Sequence, residues 1–359
     1  MPFYFELKRN NEDDQRTAHR LLALKEGIRA SGIPERTVES TLLLATWNIR
    51  EFDSTKYGER GRESLLYIAE VINSFDVVAV QEVNEDLRAL DKLLGYLGGW
   101  WKHLITDVTK GVRGNRERIA FLYDSRKIGF GGLAGEIVLP PSGKTSTAQF
   151  ARTPFLVGFR AGWFKFTICS AHIYYGDGAE DPDRVRELQE LSKFLKEQAT
   201  SKHAWARNMI LLGDFNVFQT EDATMRAILG NGFQVSKKLL GTPSNVLRTK
   251  HFDQIAFMTP DVHDQLNESR AGVFNFLEYV YKDEDEETYA KSMGKAYEEK
   301  PTAQKKTRYY KDWRTFQMSD HLPMWIELKT DFGRQYLQNK ISRAGEQDLA
   351  ESLLMRNIL

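Results

Sequence analysis

The sequence has a single cysteine among its 359 residues, Cys169, which lies in the apolar run FTICSAH. One cysteine cannot form an intrachain disulfide, and it cannot supply the thiolates of a structural zinc cluster. We therefore expect a fold that its hydrophobic core stabilises, with Cys169 as a small buried residue of a strand. The low cysteine content also favours a reducing compartment.

The chain has no excess charge of either sign and no long hydrophobic run. Lysine plus arginine and aspartate plus glutamate both number 50, so any polyanion must be bound by local groups and not by a global positive field. No apolar stretch approaches the roughly 18 to 20 residues of a membrane span, and the opening MPFYFELKRNNEDD lacks the apolar block of a secretory signal. We expect a cytoplasmic protein without a membrane span.

From residue 41 the sequence alternates short apolar runs with amphipathic stretches. The runs are TLLLATWNI, DVVAVQEV, RIAFLYD, FLVGFRAG, FKFTICSAHI, NMILLGDFNV, FDQIAFM and PMWIELK, and helical patterns lie near residues 61–73, 84–97 and 181–200. Many strands rich in Phe, Ile and Val, with helices between them, predict two packed β-sheets with helices outside.

Three segments differ from this pattern and suggest the domain organisation. Residues 1–40 read as an N-terminal arm with an amphipathic helix over residues 11–31. Residues 41–330 form the main domain, in which about 262–318 are polar, rich in Tyr and charge, and predict a partly helical insertion. Residues 331–359 predict a helical C-terminal tail. The two terminal arms are candidates for contact with a protein partner or for self-association.

Polar side chains stand at the ends of the apolar runs, where the burial of a strand does not explain them. The residues concerned are Asn48, Glu82, His172, Asp214 and Asn216, with Asp253 at the start of a run. Singly each could cap a turn, but functional groups of α/β proteins gather at strand ends. Together with Asp320 the acids supply hard oxygen ligands suited to Mg²⁺ or Mn²⁺, and no Cys/His grouping has zinc spacing. An oxygen-rich site with two histidines, His172 and His321, favours phosphoryl chemistry.

Eight segments carry a resemblance to a known family. TWNIREFD, VVAVQEV, RERIAFLYD, FARTPF, SAHIYY, LLGDFNV, FDQIAF and SDHLPM occur in the order seen in the endonuclease/exonuclease/phosphatase superfamily, and they most resemble its deoxyribonuclease I branch. The similarity runs from about residue 42 to residue 329. It implies an α/β four-layer sandwich of two mixed β-sheets flanked by helices, and a metal-dependent phosphodiesterase.

The resemblance also implies a role for each matching residue. Glu82 would bind the catalytic metal with Asn48 beside it, and Asp320 would complete the acidic cluster. Asp214 and Asn216 would contact metal and scissile phosphate. The pairs His172–Glu117 and His321–Asp253 would be the two histidine–carboxylate dyads of that branch. Arg152 would contact phosphate, and Arg50 would face the nucleic-acid backbone. The sequence does not decide whether His172 or His321 is the general base.

Two basic stretches are expected to rim the cleft because each precedes predicted site residues. One is residues 110–118, with Arg113 and Arg116; the other is residues 305–314, with Lys305, Lys306 and Arg308. They would neutralise phosphates, or else form solvated faces. The aromatic residues Tyr309, Tyr310 and Trp313 could stack on bases or pack in the core.

The sequence departs from the deoxyribonuclease I branch in two respects. Those enzymes are secreted and disulfide-bonded. At the position of Asn115 they usually carry an aromatic residue that packs into the minor groove of DNA. The leading hypothesis is a DNA endonuclease that cuts by in-line attack of an activated water. The alternatives are an RNA nuclease, or a phosphoesterase acting on phosphoinositides, sphingomyelin-like lipids or small nucleotides. A binding module with an inactive site is disfavoured because every expected catalytic position is filled.

Overall fold

The structure is a computed structural model that describes residues 1–52, 54, 56–110, 114–141, 148–258 and 266–342. Arg113, residues 262–265 of the predicted insertion and residues 343–359 of the predicted tail lie outside the described residues. Among the helices of the described part, none combines the length and the apolar character that crossing a membrane requires.

The described strands form two six-stranded sheets. Their bounds are β1 Thr41–Phe52, β2 Val77–Val83, β3 Trp101–Ile105, β4 Arg118–Asp124, β5 Gly129–Glu136, β6 Phe155–Ala161, β7 Phe164–His172, β8 Asn208–Asp214, β9 Gln234–Val235, β10 Asp253–Met258, β11 Leu266–Val273 and β12 Met324–Lys329. The strand orders are β11-β12-β1-β2-β4-β3 in the first sheet and β5-β6-β7-β8-β10-β9 in the second. Both sheets are mixed, since β1 with β2 and β7 with β8 are parallel pairs, whereas β1 with β12 and β8 with β10 are antiparallel.

Helices cover the outer faces of both sheets. Their bounds are α1 Glu12–Ala30, α2 Arg62–Ile72, α3 Arg88–Leu97, α4 Pro182–Thr200, α5 Ala223–Leu229, α6 Lys237–Leu240, α7 Ala290–Met293, α8 Lys295–Glu298, α9 Ala303–Gln317 and α10 Gly333–Ser342. Local sequence explains several helix starts. Asn11 caps α1 by accepting from the Asp14 N–H, and Asp181 caps α4 directly before Pro182.

Three layers of apolar packing explain why the central strands are apolar throughout. In β1, Leu42 and Leu44 face the space between the sheets, while Leu43 and Ala45 face the helices on the other side. In β7, Ile168 faces the other sheet and Cys169 faces α4. Because side chains alternate along a strand, a strand buried on both faces needs apolar residues at every position. The predicted position of Cys169 as a buried core residue is confirmed.

The strands that the sequence did not indicate are all at sheet edges. The apolar runs correspond to the eight inner strands, whereas β3, β5, β9 and β11 occupy the four edge positions. The strand β11 lies in the segment of about 262–318, which the sequence predicted to be a partly helical insertion poor in strand signals. It pairs with β12 and extends the first sheet. An edge strand has one partner and more exposure, so its sequence carries less of the apolar pattern.

The N-terminal helix and the segment after β11 pack as one layer against the first sheet. Leu21 and Leu24 of α1 belong to the same core as Trp47 of β1. Arg20 of α1 forms an ion pair with the buried Asp285, which lies before α7. These contacts make α1 part of the packed structure, although the sequence suggested an appended arm.

Candidate active site

The polar strand ends meet at one edge of the sandwich. Asn48 lies towards the end of β1, Glu82 near the end of β2, and His172 and Asp214 end the parallel strands β7 and β8 side by side. The antiparallel strand β10 begins there too, because Asp253 is the register partner of Asp214. Residues from both sheets are thus brought together, as the sequence predicted for strand ends.

Three of these side chains form a group with metal-ligand spacing. One ligand atom each from Glu82, His172 and Asp214 lies within 4.8 Å of the other two. Asn48 Nδ2 donates to Glu82 Oε1 at 2.8 Å and to Asp214 Oδ2 at 3.0 Å, so it bridges the two acids. Asn48 Oδ1 is buried and accepts no hydrogen bond within the described residues. Burial raises the pKa of Glu82, with Glu117 and Asp320 adding to the effect.

The backbone is unusual where it presents this group. Glu82 has φ 60°, Asn216 has φ 53° and Glu51 has φ 39°, all in the left-handed region. Asparagine tolerates this region, whereas glutamate rarely adopts it, so Glu82 costs on the order of 1 kcal/mol. The Glu51 N–H donates to Glu82 Oε2 at 2.7 Å and holds the carboxylate in its place. Strained backbone of this kind is typical of functional sites.

His321 is held by a buried carboxylate. Its Nδ1 lies 2.8 Å from Asp253 Oδ2, and its Nε2 lies 3.7 Å from Asp214 Oδ2. Burial acts to lower the pKa of His321, but Asp253 and Asp214 outweigh it and raise the pKa well above its usual value. The two carboxylates therefore favour the protonated form of this imidazole.

His172 contacts the other predicted carboxylate partner. Its Nδ1 lies 2.9 Å from Glu117 Oε2, and Arg152 Nε lies 2.8 Å from the same oxygen. Both distances are short enough for a hydrogen bond, but the angles are unfavourable. The two contacts are therefore mainly electrostatic. Burial acts to raise the pKa of Glu117, but His172 and Arg152 outweigh it and lower the pKa to about 2. Arg152 Nη1 is buried and has no hydrogen-bond partner in the described part of the chain.

Asp214 lies between the two imidazoles. His172 Nε2 is 3.6 Å from Asp214 Oδ2, close to the 3.7 Å of His321 Nε2. Burial acts to raise the pKa of Asp214, but His321 and His172 outweigh it and lower the pKa. Asn216 donates its backbone N–H to Asp214 Oδ1 at 3.0 Å and its Nδ2 to the Ile173 carbonyl at 2.8 Å. Asp214 is thus a charged acceptor at the centre of the site.

The loop that carries Asp320 and His321 is joined to β1 by one hydroxyl. Ser319 Oγ is fully buried, donates to the Asn48 carbonyl at 2.7 Å, and accepts from the Arg50 and His321 N–H groups at 3.2 and 2.9 Å. Asp320 itself is 40% exposed at its side chain and lies outside the 4.8 Å group.

Replacement of Ser319 by alanine is expected to lower the free energy of unfolding by about 1 to 3 kcal/mol, because two backbone N–H groups and one carbonyl lose their partner. Urea denaturation of the purified protein measures this loss. Ser40→Ala removes an exposed hydroxyl and serves as the control. A loss below about 0.5 kcal/mol in Ser319→Ala would show that the three hydrogen bonds are replaceable by water.

Arg50 contacts two carboxylates at the edge of the site. Its Nη1 lies 3.0 Å from Asp312 Oδ1 and its Nε lies 3.7 Å from Asp320 Oδ2. Thr315 accepts a further hydrogen bond, and the guanidinium carbon lies 4.0 Å from the Phe316 ring centroid. Arg50 therefore joins this edge of the sandwich to helix α9.

Within the described residues, the two basic stretches, residues 110–118 and 305–314, lie on different parts of the surface. Arg116 pairs with Glu85 at 2.6 Å, and both side chains are exposed. Lys305 and Arg308 line a surface pocket of about 460 Å³ with Lys300, Tyr309 and Asp312. Lys306 lies over the Tyr297 ring at 5.1 Å.

The two open possibilities for Tyr310 and Trp313 are resolved in favour of packing. Both are buried, and their ring centroids lie 6.3 Å apart in the core outside the first sheet. The reason is that residues 305–314 are helical, so α9 turns these two rings inward and leaves the lysines outside.

Glu187 is a buried carboxylate beside the site that the sequence gave no reason to single out. Its Oε1 accepts from the Ala151 N–H at 2.8 Å, and its Oε2 accepts from the Tyr174 N–H at 3.3 Å. It thereby ties the residue before Arg152 to the segment after His172. The glutamate lies within the amphipathic pattern of α4, where a charge is normally solvated, so its burial could not be read from the sequence.

Comparison with known proteins adds sequence evidence to this geometry. A model of the Endonuclease/Exonuclease/phosphatase family matches residues 45–234. A deoxyribonuclease of Thioalkalivibrio sp. (strain K90mix) is 31% identical over 194 residues, which cover 52% of this chain and 50% of that protein. The match thus spans about half the length of this relative.

Solved structures share the fold. A family protein from Bacteroides thetaiotaomicron superposes with a TM-score of 0.52 at 18% identity and covers 82% of this chain and 98% of its own. A mannosyl-6-phosphatase of Bacteroides thetaiotaomicron VPI-5482 gives 0.50 at 18% identity and covers 80% of this chain and 99% of its own. At these identities the similarity shows the fold alone, and it confirms the predicted four-layer class.

Proposed function

The chain belongs to the endonuclease/exonuclease/phosphatase family, and on this basis we propose that it is a divalent-metal-dependent phosphodiesterase that cuts DNA as an endonuclease. The observation that carries the proposal is the meeting of an oxygen-rich group with two histidine–carboxylate pairs around Asp214. Phosphodiester hydrolysis needs a proton acceptor, a proton donor and positive charge near the phosphoryl oxygens. The deoxyribonuclease relative supports nucleic acid as the substrate.

The donor set fits a hard divalent cation. Glu82 and Asp214 offer carboxylate oxygens, and the unpartnered Asn48 Oδ1 is a third oxygen at the same place. Burial of acids together is costly without a counter-charge, which a cation would provide. These three residues would hold Mg²⁺ or Mn²⁺, with Asp320 at the exposed side. When bound, such an ion would neutralise charge on the phosphoryl oxygens.

The two histidines would share the proton chemistry with Asp214. His321 is suited to donate a proton or hydrogen bond to a phosphoryl or leaving oxygen, because Asp253 fixes its ring and favours its protonated form. Asp214 is charged and lies within 4 Å of both imidazoles, so it is suited to orient and deprotonate the attacking water. His172, held by Glu117, would add positive charge on the opposite side of Asp214.

Phosphate binding would use Arg152 and Asn216 in the site and basic side chains further out. The buried Arg152 Nη1 has no hydrogen-bond partner among the described residues, and Asn216 lies beside Asp214. The outer backbone contacts would come from Arg116 and from Lys305, Lys306 and Arg308 around α9, together with Arg113. Arg50, which the resemblance places against the nucleic-acid backbone, would also position the α9 surface against the catalytic edge through its contacts with Asp312 and Asp320.

A supercoiled-plasmid nicking assay tests the proposal. With Mg²⁺ or Mn²⁺ the protein should convert supercoiled to open-circular DNA, and EDTA should stop the conversion because the acids then lack their cation. His172→Ala is expected to be inactive in the same assay, and His203→Ala, which changes an exposed histidine, is the matched control.

The substrate panel decides between the proposed function and its alternatives. If the protein cleaves RNA but not DNA, the proposed activity as a DNA endonuclease is wrong and the protein is an RNA nuclease. Silence on both nucleic acids, with phosphate release from small phosphomonoesters or lipid phosphoesters, would refute the nuclease and support a phosphoesterase of the same family.

A further inference from the structure

Three aromatic rings form a continuous wall that starts at the catalytic edge. Phe252 stacks on the His321 ring with centroids 5.5 Å apart and an interplanar angle of 29°. Phe218 lies 5.6 Å from Phe252, and Tyr175 lies 5.6 Å from Phe218 and 6.2 Å from Phe252. We call Tyr175, Phe218 and Phe252 the aromatic wall. Its members follow or precede site residues on three different strands.

Unlike the ring cluster around Trp313, the aromatic wall reaches solvent. Tyr175 is 50% exposed, and Phe218 and Phe252 are half-buried. Contiguous exposed aromatic surface beside polar groups is typical of a ligand-binding groove. The wall is therefore available to a flat apolar group of a ligand whose reacting centre lies near His321.

The wall is supported by buried charge. Arg184 is fully buried, donates to the carbonyls of Tyr175 and Gly178, and donates from Nε to Thr224 Oγ1 at 3.1 Å. Its guanidinium carbon lies 5.1 Å from the Phe218 ring centroid. A guanidinium in this position fixes the Tyr175 loop and the Phe218 ring relative to each other. The rings are thus placed before a ligand arrives.

A cation at the same place suits a nucleotide. Lys250 Nζ lies 4.4 Å from the Phe218 ring centroid, so positive charge and aromatic surface are adjacent. A nucleotide presents a flat base and an anionic phosphate joined by one sugar, which matches this pairing. A lipid headgroup offers the phosphate without a flat ring and would leave the wall unused.

We propose that the aromatic wall binds an unpaired nucleobase next to the scissile phosphate, and this inference rests on the proposed function. A base inside a duplex is stacked on both neighbours, so only an unstacked base can lie against Tyr175. Stacking is sequence-tolerant because every base has a π-face. The wall makes single-stranded or frayed DNA the favoured substrate, and it sets no base preference.

The test compares Tyr175→Ala with Tyr175→Phe on two substrates. One is a single-stranded oligonucleotide, and the other is the same oligonucleotide with abasic residues on both sides of one phosphodiester. Tyr175→Ala should lower kcat/KM on the first by about fivefold or more, chiefly through KM, and leave the abasic substrate within about twofold. Tyr175→Phe keeps the ring and should behave as the parent. Trp100→Ala removes a 62% exposed ring beside Ser125, at the other end of the first sheet, and is the control.

Two results would overturn the inference. Equal loss on both substrates would mean that Tyr175 only maintains the structure, and no loss on either would mean that bases do not contact it. If the parent cleaves no oligonucleotide, the proposed function fails separately. Fluorescence anisotropy of the two oligonucleotides on Asp214→Asn protein with Mg²⁺ then decides: binding that depends on bases and on Tyr175 supports the wall, and its absence refutes it.

Discussion

Asp214→Asn should lower kcat for phosphodiester cleavage by about a thousandfold or more, with the fold retained. The carboxylate is the shared neighbour of both imidazoles and accepts from Asn48, so its charge acts on every element of the proposed chemistry. Asparagine keeps the shape but removes the negative charge and a proton acceptor. General base catalysis and metal charge together account for an effect of this order. Initial rates on plasmid or oligonucleotide, with saturating metal, measure it.

The control for Asp214→Asn is Asp91→Asn, which makes the same change on the exposed surface of α3. Circular dichroism and thermal melting of both variants verify folding, because asparagine at 214 still accepts from the Asn216 N–H through its side-chain oxygen. A folded Asp214→Asn protein with a rate within tenfold of the parent would remove Asp214 from the catalytic machinery.

Gly213→Ala is expected to destabilise the protein by at least about 3 kcal/mol, a large share of the total stability of an ordinary domain. Gly213 has φ 133°, which L residues rarely adopt, and a Cβ there would lie 2.0 Å from the Ala171 carbonyl oxygen. The clash cannot relax easily because Ala171 and Gly213 are register partners in the parallel pair of β7 and β8. Chemical denaturation of the variant measures the loss.

Gly135→Ala is the matched control for this substitution. Gly135 lies on the edge strand β5, and a Cβ there meets no atom within 4 Å. Its stability should change by less than about 1 kcal/mol. If Gly213→Ala were as stable as the parent, β7 and β8 would have to separate locally, and the neighbouring pair His172 and Asp214 would then move apart as well.

The sequence anticipated the site better than its surroundings. Asn48, Glu82, His172 and Asp214 stand at strand ends, and strand ends at one sheet edge converge whatever the details of packing. Arg50 shows the limit: its charge was evident, but its partners Asp312 and Asp320 are more than 200 residues away in the chain. Long-range partners of this kind depend on which helix lies over the edge, and local pattern does not specify that.

For the aromatic residues, too, the sequence specified the residue types and the tertiary structure decided which of them are buried. Tyr310 and Trp313 are adjacent to lysines in the sequence, yet the helical turn of α9 buries the rings and exposes the basic side chains. Tyr175 and Phe252 carry no unusual sequence signal, yet the fold places Phe252 against the His321 ring and Tyr175 against Phe252. Burial is a property of the assembled layers, so a ring's role follows from its neighbours in space.

The sequence by itself determined the inner strands, because a strand buried on both faces must be apolar at every position. It also determined the identity of the acids, amides and histidines that follow those strands. Only the tertiary structure decided the four edge strands, the left-handed backbone at Glu82, and the buried supports Glu187 and Arg184. The physical reason is that edge pairing, backbone strain and buried charge are each stabilised by contacts distant in the chain, which no local pattern records.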